Sequence, residues 1–281
     1  MTEIFEFEFG EFNCTVFQDI QAEQSANQIF GSVDESERSQ AISNSPYNPD
    51  AIQLSMNIML LERDGQRILL DTGNTANDPE NARLFPLLAE ANISADSIDV
   101  VALTHAHADH YSGMLDAKAK KIFPNARYVI WQAEWEHYSS DEQMECEREK
   151  AQERYDYIDH YFRKLAPHLE FLTPENNELA LGIRALPAYG HTKYHVRYEI
   201  TSQNKTMHYL GDAYLHPLNI DNPHWTFPFE YDDAIAIATR QELRDKFADS
   251  DDLVFVYHFE FPGLGYIKYE KNYYVWEAVS E

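Results

Sequence analysis

Four consecutive apolar residues, Val100-Val101-Ala102-Leu103, run straight into Thr104-His105-Ala106-His107-Ala108-Asp109-His110. The apolar run is short enough to be a buried strand, so the three histidines and the aspartate sit where that strand leaves the core. Burying such groups is expensive unless something pairs with them, and an ordinary surface loop has no use for their density. His105 and His107, two residues apart at a strand end, point the same way, while Asp109 and His110 follow as the backbone turns into a helix. Two neighbouring groups of metal-grade donors result, one from His105 and His107 and one from Asp109 and His110.

Further donors recur in one context: each falls just after a short apolar strand, in a turn marked by glycine. Ala185-Leu186-Pro187-Ala188-Tyr189-Gly190 delivers His191, and Met207-His208-Tyr209-Leu210-Gly211 delivers Asp212. Leu253-Val254-Phe255-Val256-Tyr257 delivers His258, with Phe261-Pro262-Gly263 following. Side chains held at strand ends in this way are placed to converge on one edge of a sheet sandwich.

The rest of the chain is a mixture of strands and helices. Phe5, Phe7 and Phe9, then Phe12, Cys14 and Val16, alternate about Gly10 and predict an opening hairpin. Residues 18-50 are rich in Ser, Asn, Gln and Glu and read as a polar arm, too long for a simple connector. Ile52 to Leu61 and Arg67 to Leu70 form a second predicted hairpin that ends at Asp71-Thr72-Gly73. A helix is expected over Asn81 to Ala91, and Gly113 to Ala119 is expected to complete the helix begun in the histidine motif. Residues 133-166 carry apolar side chains at three- and four-residue steps, as on an amphipathic helical insert. Strands are expected near Ala126 to Ile130, Leu179 to Ala185, Val196 to Thr201, Met207 to Leu210 and Leu253 to Tyr257, and a helix over Ala234 to Phe247. No linker divides the chain, so residues 1-281 read as one domain.

Composition narrows the function classes. With 22 Lys+Arg against 48 Asp+Glu, the formal net charge of -26 repels phosphate backbones and anionic lipid, which argues against nucleic acid and membrane as partners. The first residues alternate apolar with Glu instead of forming a signal sequence, and no run approaches the roughly 18 apolar residues of a spanning helix, so a cytoplasmic protein is expected. Cys14 and Cys146 are isolated and suggest neither a disulfide nor a thiolate metal site.

Taken in order, His105-x-His107-x-Asp109-His110, Gly190-His191-Thr192, Gly211-Asp212 and a final His258 resemble the metallo-β-lactamase superfamily over about Ile52 to Ile267. The resemblance implies an α+β fold, a four-layer αβ/βα sandwich with one or two metals at its edge. It makes His105, His107 and His191 ligands of a first metal, Asp109, His110 and His258 ligands of a second, and Asp212 the carboxylate between them. Asp71 and His195 match the family's supporting groups behind the ligands. A nitrogen and oxygen ligand set without cysteine suits two zinc ions, and manganese, cobalt or iron as well. The implied reaction is hydrolysis by a metal-activated water, with Asp109 as proton shuttle to the leaving group.

Within the superfamily, Gly211 to Pro217, Asn222 to Trp225 and His258 to Gly265 resemble quorum-quenching lactonases and methyl-parathion-type phosphotriesterases. The expected substrate is therefore a small uncharged ester or lactone, or a phosphotriester. Lactonases place a catalytic tyrosine three residues after the bridging aspartate; here Tyr214 stands two after, and Tyr194, Tyr189 and Tyr266 are the other candidates for that role. Trp225, Phe227, Phe229 and Tyr231 form an aromatic cluster that either lines an apolar pocket or packs as core. Thioester hydrolysis of the glyoxalase II kind, β-lactam hydrolysis and a non-catalytic, metal-stabilised interaction protein are the alternatives. The polar arm is long enough to reach a second subunit, which makes a homodimer a further expectation.

Overall fold

Gly10, at φ +60°, lets β1 (Ile4–Phe9) fold back on β2 (Phe12–Gln24) through a two-residue turn. The computed structural model describes residues 3–279. From that hairpin the first sheet grows in chain order through β3 (Ile52–Arg63), β4 (Gln66–Leu70), β5 (Val100–Ala102), β6 (Arg127–Trp131) and β7 (Leu169–Leu172). Its pairs are antiparallel as far as β4 and parallel from β4 to β7. The second sheet is ordered in the same way, from β8 (Glu178–Ala180) through β9 (Ile183–Pro187), β10 (Val196–Ser202), β11 (Lys205–Tyr209), β12 (Leu253–Phe255) and β13 (Leu264–Glu270) to β14 (Tyr273–Ala278). Only its β11–β12 pair is parallel.

The two sheets share one core, in which Val16, Ile58, Leu69 and Val101 of the first belong to the same buried cluster as Tyr198, Tyr209 and Phe255 of the second. Helices cover the outer faces: α3 (Leu84–Glu90) and α5 (Gln132–Tyr138) pack with the first sheet, and α9 (Asp233–Ala248) lays Leu243 and Phe247 on Leu210, Val254 and Phe259 of the second. The result is the expected α+β, four-layer sandwich. No helix among the described residues is long and apolar enough to cross a membrane.

Several local expectations need correction. The polar arm begins inside β2, because the twelve-residue β3 needs a backbone partner over its whole length and residues 18–24 supply it. A bulge at Asp19 absorbs the register shift, and its carboxylate accepts the amides of Asn74, Arg83 and Leu84 at 2.7 to 2.9 Å. That anchor also delays α3, which starts at Leu84 and not at Asn81. Beyond β2 the arm forms α1 (Ala26–Ile29) and α2 (Glu35–Ser43), and Ile29, Phe30 and Ile42 pack against Leu218, Trp225 and Phe227 of the same chain. Glu37 fixes it further by accepting both Trp225 Nε1–H and His224 Nε2–H at 2.7 Å.

The helix expected to continue through Ala119 stops at once: α4 is only Ala108–Tyr111. Asp116 accepts the amides of Lys118 and Lys120, which turns the chain instead of coiling it. The helical insert is not one rod. It breaks into α5, α6 (Asp141–Lys150), α7 (Gln152–Tyr157), a π-helical turn Ile158–Phe162 and a 3-10 turn Arg163–His168. Ser140 caps α6, and Ala151, extended at φ -168°, separates α6 from α7. Strands β7, β13 and β14 and the short α8 (Leu218–Asp221) lie where no element was expected.

Candidate metal centre

The donors sit in loops just past strand ends, or on the short helix that follows one, as the sequence suggested. β5 runs into the loop bearing His105 and His107, α4 supplies Asp109 and His110, β9 leads to His191, β11 to Asp212 and β12 to His258. The strand ends share one edge, so these side chains, up to 153 positions apart in sequence, meet in two groups. His105, His107, His191 and Asp212 form one, and Asp109, His110, Asp212 and His258 the other, with the donor atoms of each group within 4.8 Å of one another. Asp212 belongs to both. Its Oδ2 lies 3.3 Å from His191 Nε2 and 3.2 Å from His258 Nε2, while its Oδ1 lies 3.3 Å from His110 Nε2.

The groups behind the ligands decide which ring nitrogen faces inward. His110 donates Nδ1–H to Asp71 Oδ2 at 2.9 Å, and His258 donates Nδ1–H to the carbonyl of Ser55 at 2.8 Å. Both rings thereby turn Nε2 toward the shared aspartate. Asp71, held at φ +62°, also accepts the amide of Thr104 and the hydroxyl of Tyr209, each at 2.9 Å. Thr104 Oγ1 lies 3.0 Å from His105 Nδ1. His195 accepts the amide of Asp212 on Nε2 at 3.1 Å, so it secures the aspartate's backbone from behind.

These contacts leave His105 Nε2, His110 Nε2 and Asp212 Oδ1 buried without a hydrogen-bond partner among the described residues. Buried polar atoms seldom stay unpaired, and lone pairs that converge around one carboxylate are the arrangement that divalent cations satisfy. The donors present therefore fit a pair of cations, three histidines for one, an aspartate and two histidines for the other, and Asp212 for both. The electrostatics agree. Burial, helped by its histidine neighbours, keeps His105 well below its usual pKa and lowers His107 to about 3, leaving neutral imidazoles with free lone pairs. Burial opposes charge on His258 too, yet Asp212 and Asp109 outweigh it and lift that ring to about 10. The second group is thus rich in negative charge that a cation would neutralise.

A cavity of about 670 Å³ opens onto the cluster, and His107, Asp109, Asp212 and His258 form part of its wall. The same cavity is lined by the apolar side chains of Ala22, Ile29, Leu54, Met56, Leu215 and Phe229. The helical insert adds Tyr138, Arg154, Tyr157 and Ile158 to the lining.

The tyrosines chosen from sequence are elsewhere. Tyr214 is buried in the core beneath α9, and its hydroxyl donates to the carbonyl of Arg240. Tyr194 and Tyr189 pack edge to face with each other, and neither lines the cavity. Tyr266 is also remote from the cavity wall, on β13. Tyr111, Tyr138 and Tyr157 line the cavity instead, and only Tyr111, next to His110, stands in the sequence motif itself. The aromatic cluster splits, with Trp225 and Phe227 in core and Phe229 alone on the cavity.

No curated protein sequence matches the chain. Solved structures do. AidC, a dizinc quorum-quenching lactonase in complex with a product, N-hexanoyl-L-homoserine, superposes with a TM-score of 0.90 at 24% identity, over 99% of this chain and 98% of that one. AbOPH, a hydrolase in the beta-lactamase superfamily, gives 0.89 at 19% identity over 100% and 99% of the two chains. A probable metal-dependent hydrolase from Staphylococcus aureus gives 0.75 at 20% identity over 98% and 100%. The sequence pattern of the metallo-beta-lactamase superfamily itself matches residues 52–258, which span every donor of the two groups, and by that match the chain belongs to the metallo-β-lactamase superfamily.

Proposed function

We propose that this protein is a hydrolase that works with two divalent cations, zinc foremost, on small uncharged esters or lactones. The observation that carries the reading is the pair of donor groups sharing Asp212 on a cavity that is also lined by apolar side chains. In this reading His105, His107 and His191 hold one cation, Asp109, His110 and His258 the other, and Asp212 lies between. A cation pair so held supplies Lewis acidity toward a carbonyl oxygen and lowers the pKa of a coordinated water toward about 7.

The chain's own residues do the rest. The apolar wall binds the acyl part of the substrate and keeps bulk water from the reacting bond. Asp109 and Asp212 both line the cavity, but Asp109 is a quarter exposed where Asp212 is almost wholly covered, so it is the cluster carboxylate more open to the cavity. Burial works against its charge, but His110 and His258 more than compensate and hold its pKa down to about 2. Its role as proton relay to the leaving alkoxide rests on that position, at the cluster and open to the cavity. Asp71 and the Ser55 carbonyl keep His110 and His258 in the tautomer that offers Nε2. The dizinc lactonase of the same fold holds an acyl-homoserine product, which supports a lactone or ester over a thioester or β-lactam.

The test is to load the metal-free protein with zinc or manganese and assay aryl esters, acyl-homoserine lactones, phosphotriesters, a thioester and a cephalosporin. Two metal equivalents and turnover of lactones or esters above the others are expected. Turnover of none, with two metals bound, would leave a metal-stabilised interaction protein.

A further inference from the structure

Three of the five histidines have hydrogen-bonded anchors of their own: His105 on Thr104, His110 on Asp71 and His258 on the Ser55 carbonyl. Among the described residues His107 and His191 have none outside the cluster. Their inward nitrogens meet only other members of the cluster, each other at 2.9 Å and, for His191 Nε2, Asp212 Oδ2 at 3.3 Å, and His191 Nδ1 is buried without a partner among the described residues. Something else must set the direction of these two rings, and the backbone that carries them is the remaining means.

That backbone is held by one buried acid. Glu134, on α5 of the helical insert, is 0% exposed, and no lysine or arginine among the described residues forms an ion pair with it. Its Oε1 accepts the amide of Ala106 at 3.0 Å, and its Oε2 accepts the amide of Tyr194 at 3.1 Å. Ala106 lies between His105 and His107, and Tyr194 lies three residues after His191. One oxygen thus serves each ligand loop. A buried carboxylate is costly without compensation, and here the compensation comes from those loops.

We propose that Glu134 is a positioning residue for the three-histidine half of the centre, stapling the two loops so that His107 and His191 converge. The inference rests on the two-cation reading of the site. The other half is anchored independently, through Asp71, Ser55 and the Tyr257 hydroxyl that donates to the Asp109 carbonyl at 2.6 Å, so it does not depend on Glu134.

Glu134→Gln keeps the volume but turns an NH2 group toward one of the two amides and so breaks one arm. Zinc titration against a chromophoric chelator reads the two sites separately. One dissociation constant is expected to rise by about 10- to 100-fold and the other to stay within about twofold. Turnover should return when zinc exceeds the weakened constant. No change in either constant, or an equal rise in both with a lower melting temperature of the metal-free protein, overturns the proposal. Should the variant not fold, amide exchange in the metal-free wild type decides: Ala106 and Tyr194 are expected to be protected while Lys193 exchanges freely, and equal exchange at all three refutes the staple. If wild type binds fewer than two cations, the two-cation reading fails, and the exchange experiment still tests the staple itself.

Discussion

Asp71 Oδ2 accepts Nδ1–H of His110 at 2.9 Å, and the same carboxylate holds the amide of Thr104 and the hydroxyl of Tyr209. One fully buried side chain therefore joins the start of the histidine loop, a ligand ring and the second sheet. Asp71→Asn presents one oxygen where two were used and puts an NH2 against a donor. We expect the affinity for the second cation to fall by about 10- to 100-fold. Stability should fall by about 1–3 kcal/mol, because a buried donor loses its acceptor. Zinc titration and urea denaturation of the metal-free variant measure the two effects, and unchanged affinity would remove Asp71 from the site.

Asp212 and His107 make different demands on the centre. Asp212 faces His191, His258 and His110 at 3.2 to 3.3 Å, whereas His107 belongs to one group only. Asp212→Asn is expected to weaken both sites together. His107→Ala should weaken one and leave the other within about threefold, since its donors keep their anchors. Both variants should lose turnover. Equal loss at both sites in His107→Ala, by elemental analysis and titration, would contradict the division into two groups.

The donors were legible in the sequence because each follows a short apolar strand, and the end of a strand in a buried sheet has a predictable place. His105, Asp212 and His258 needed no knowledge of side-chain packing. The supporting groups were less accessible. Asp71 could be found from its place after a hairpin, but Glu134 looks like any acid on a charged helix, and only the tertiary fold brings it beneath two loops. β13 and β14 were missed because Tyr266 to Trp276 alternates weakly between apolar and charged residues, and the arm's first residues looked like loop because the end of β2 offers only Ile20 and Ala22 among polar side chains, with a bulge at Asp19 interrupting the alternation. Tyr214 shows the limit most plainly: spacing from Asp212 suggested a catalytic hydroxyl, but φ +53° at Gly211 and the packing of α9 turn the ring into the core.

Tyr214→Phe therefore separates spacing from geometry. Its hydroxyl donates to the Arg240 carbonyl, and removal costs about 1 kcal/mol of stability. Because that hydroxyl does not reach the cavity, kcat and KM for any ester or lactone the enzyme accepts should stay within about twofold. A fall of a hundredfold in kcat at full metal loading would restore Tyr214 to the reaction.

His216 gives the fold a pH dependence whose sign is fixed by burial. The ring is 1% exposed, lies edge-on to Tyr47 at 4.3 Å, and accepts the amide of Leu218 on Nδ1. Burial lowers its pKa to about 3, against about 6.5 in an unfolded chain. Between these values the unfolded state binds a proton that the folded state refuses, so stability falls as pH falls below about 6.5, by roughly 1.4 kcal/mol per pH unit. The loss reaches about 2 kcal/mol at pH 5 and ends near the folded pKa. His216→Asn keeps an acceptor for Leu218 and removes the titration. It should be less stable than wild type at pH 8, and the gap should narrow by about 2 kcal/mol at pH 5. Urea midpoints of the metal-free proteins at the two pH values test this, because His208, with its pKa near 2, titrates equally in both and cancels. Parallel stability curves would mean that His216 does not carry the proton that unfolding takes up.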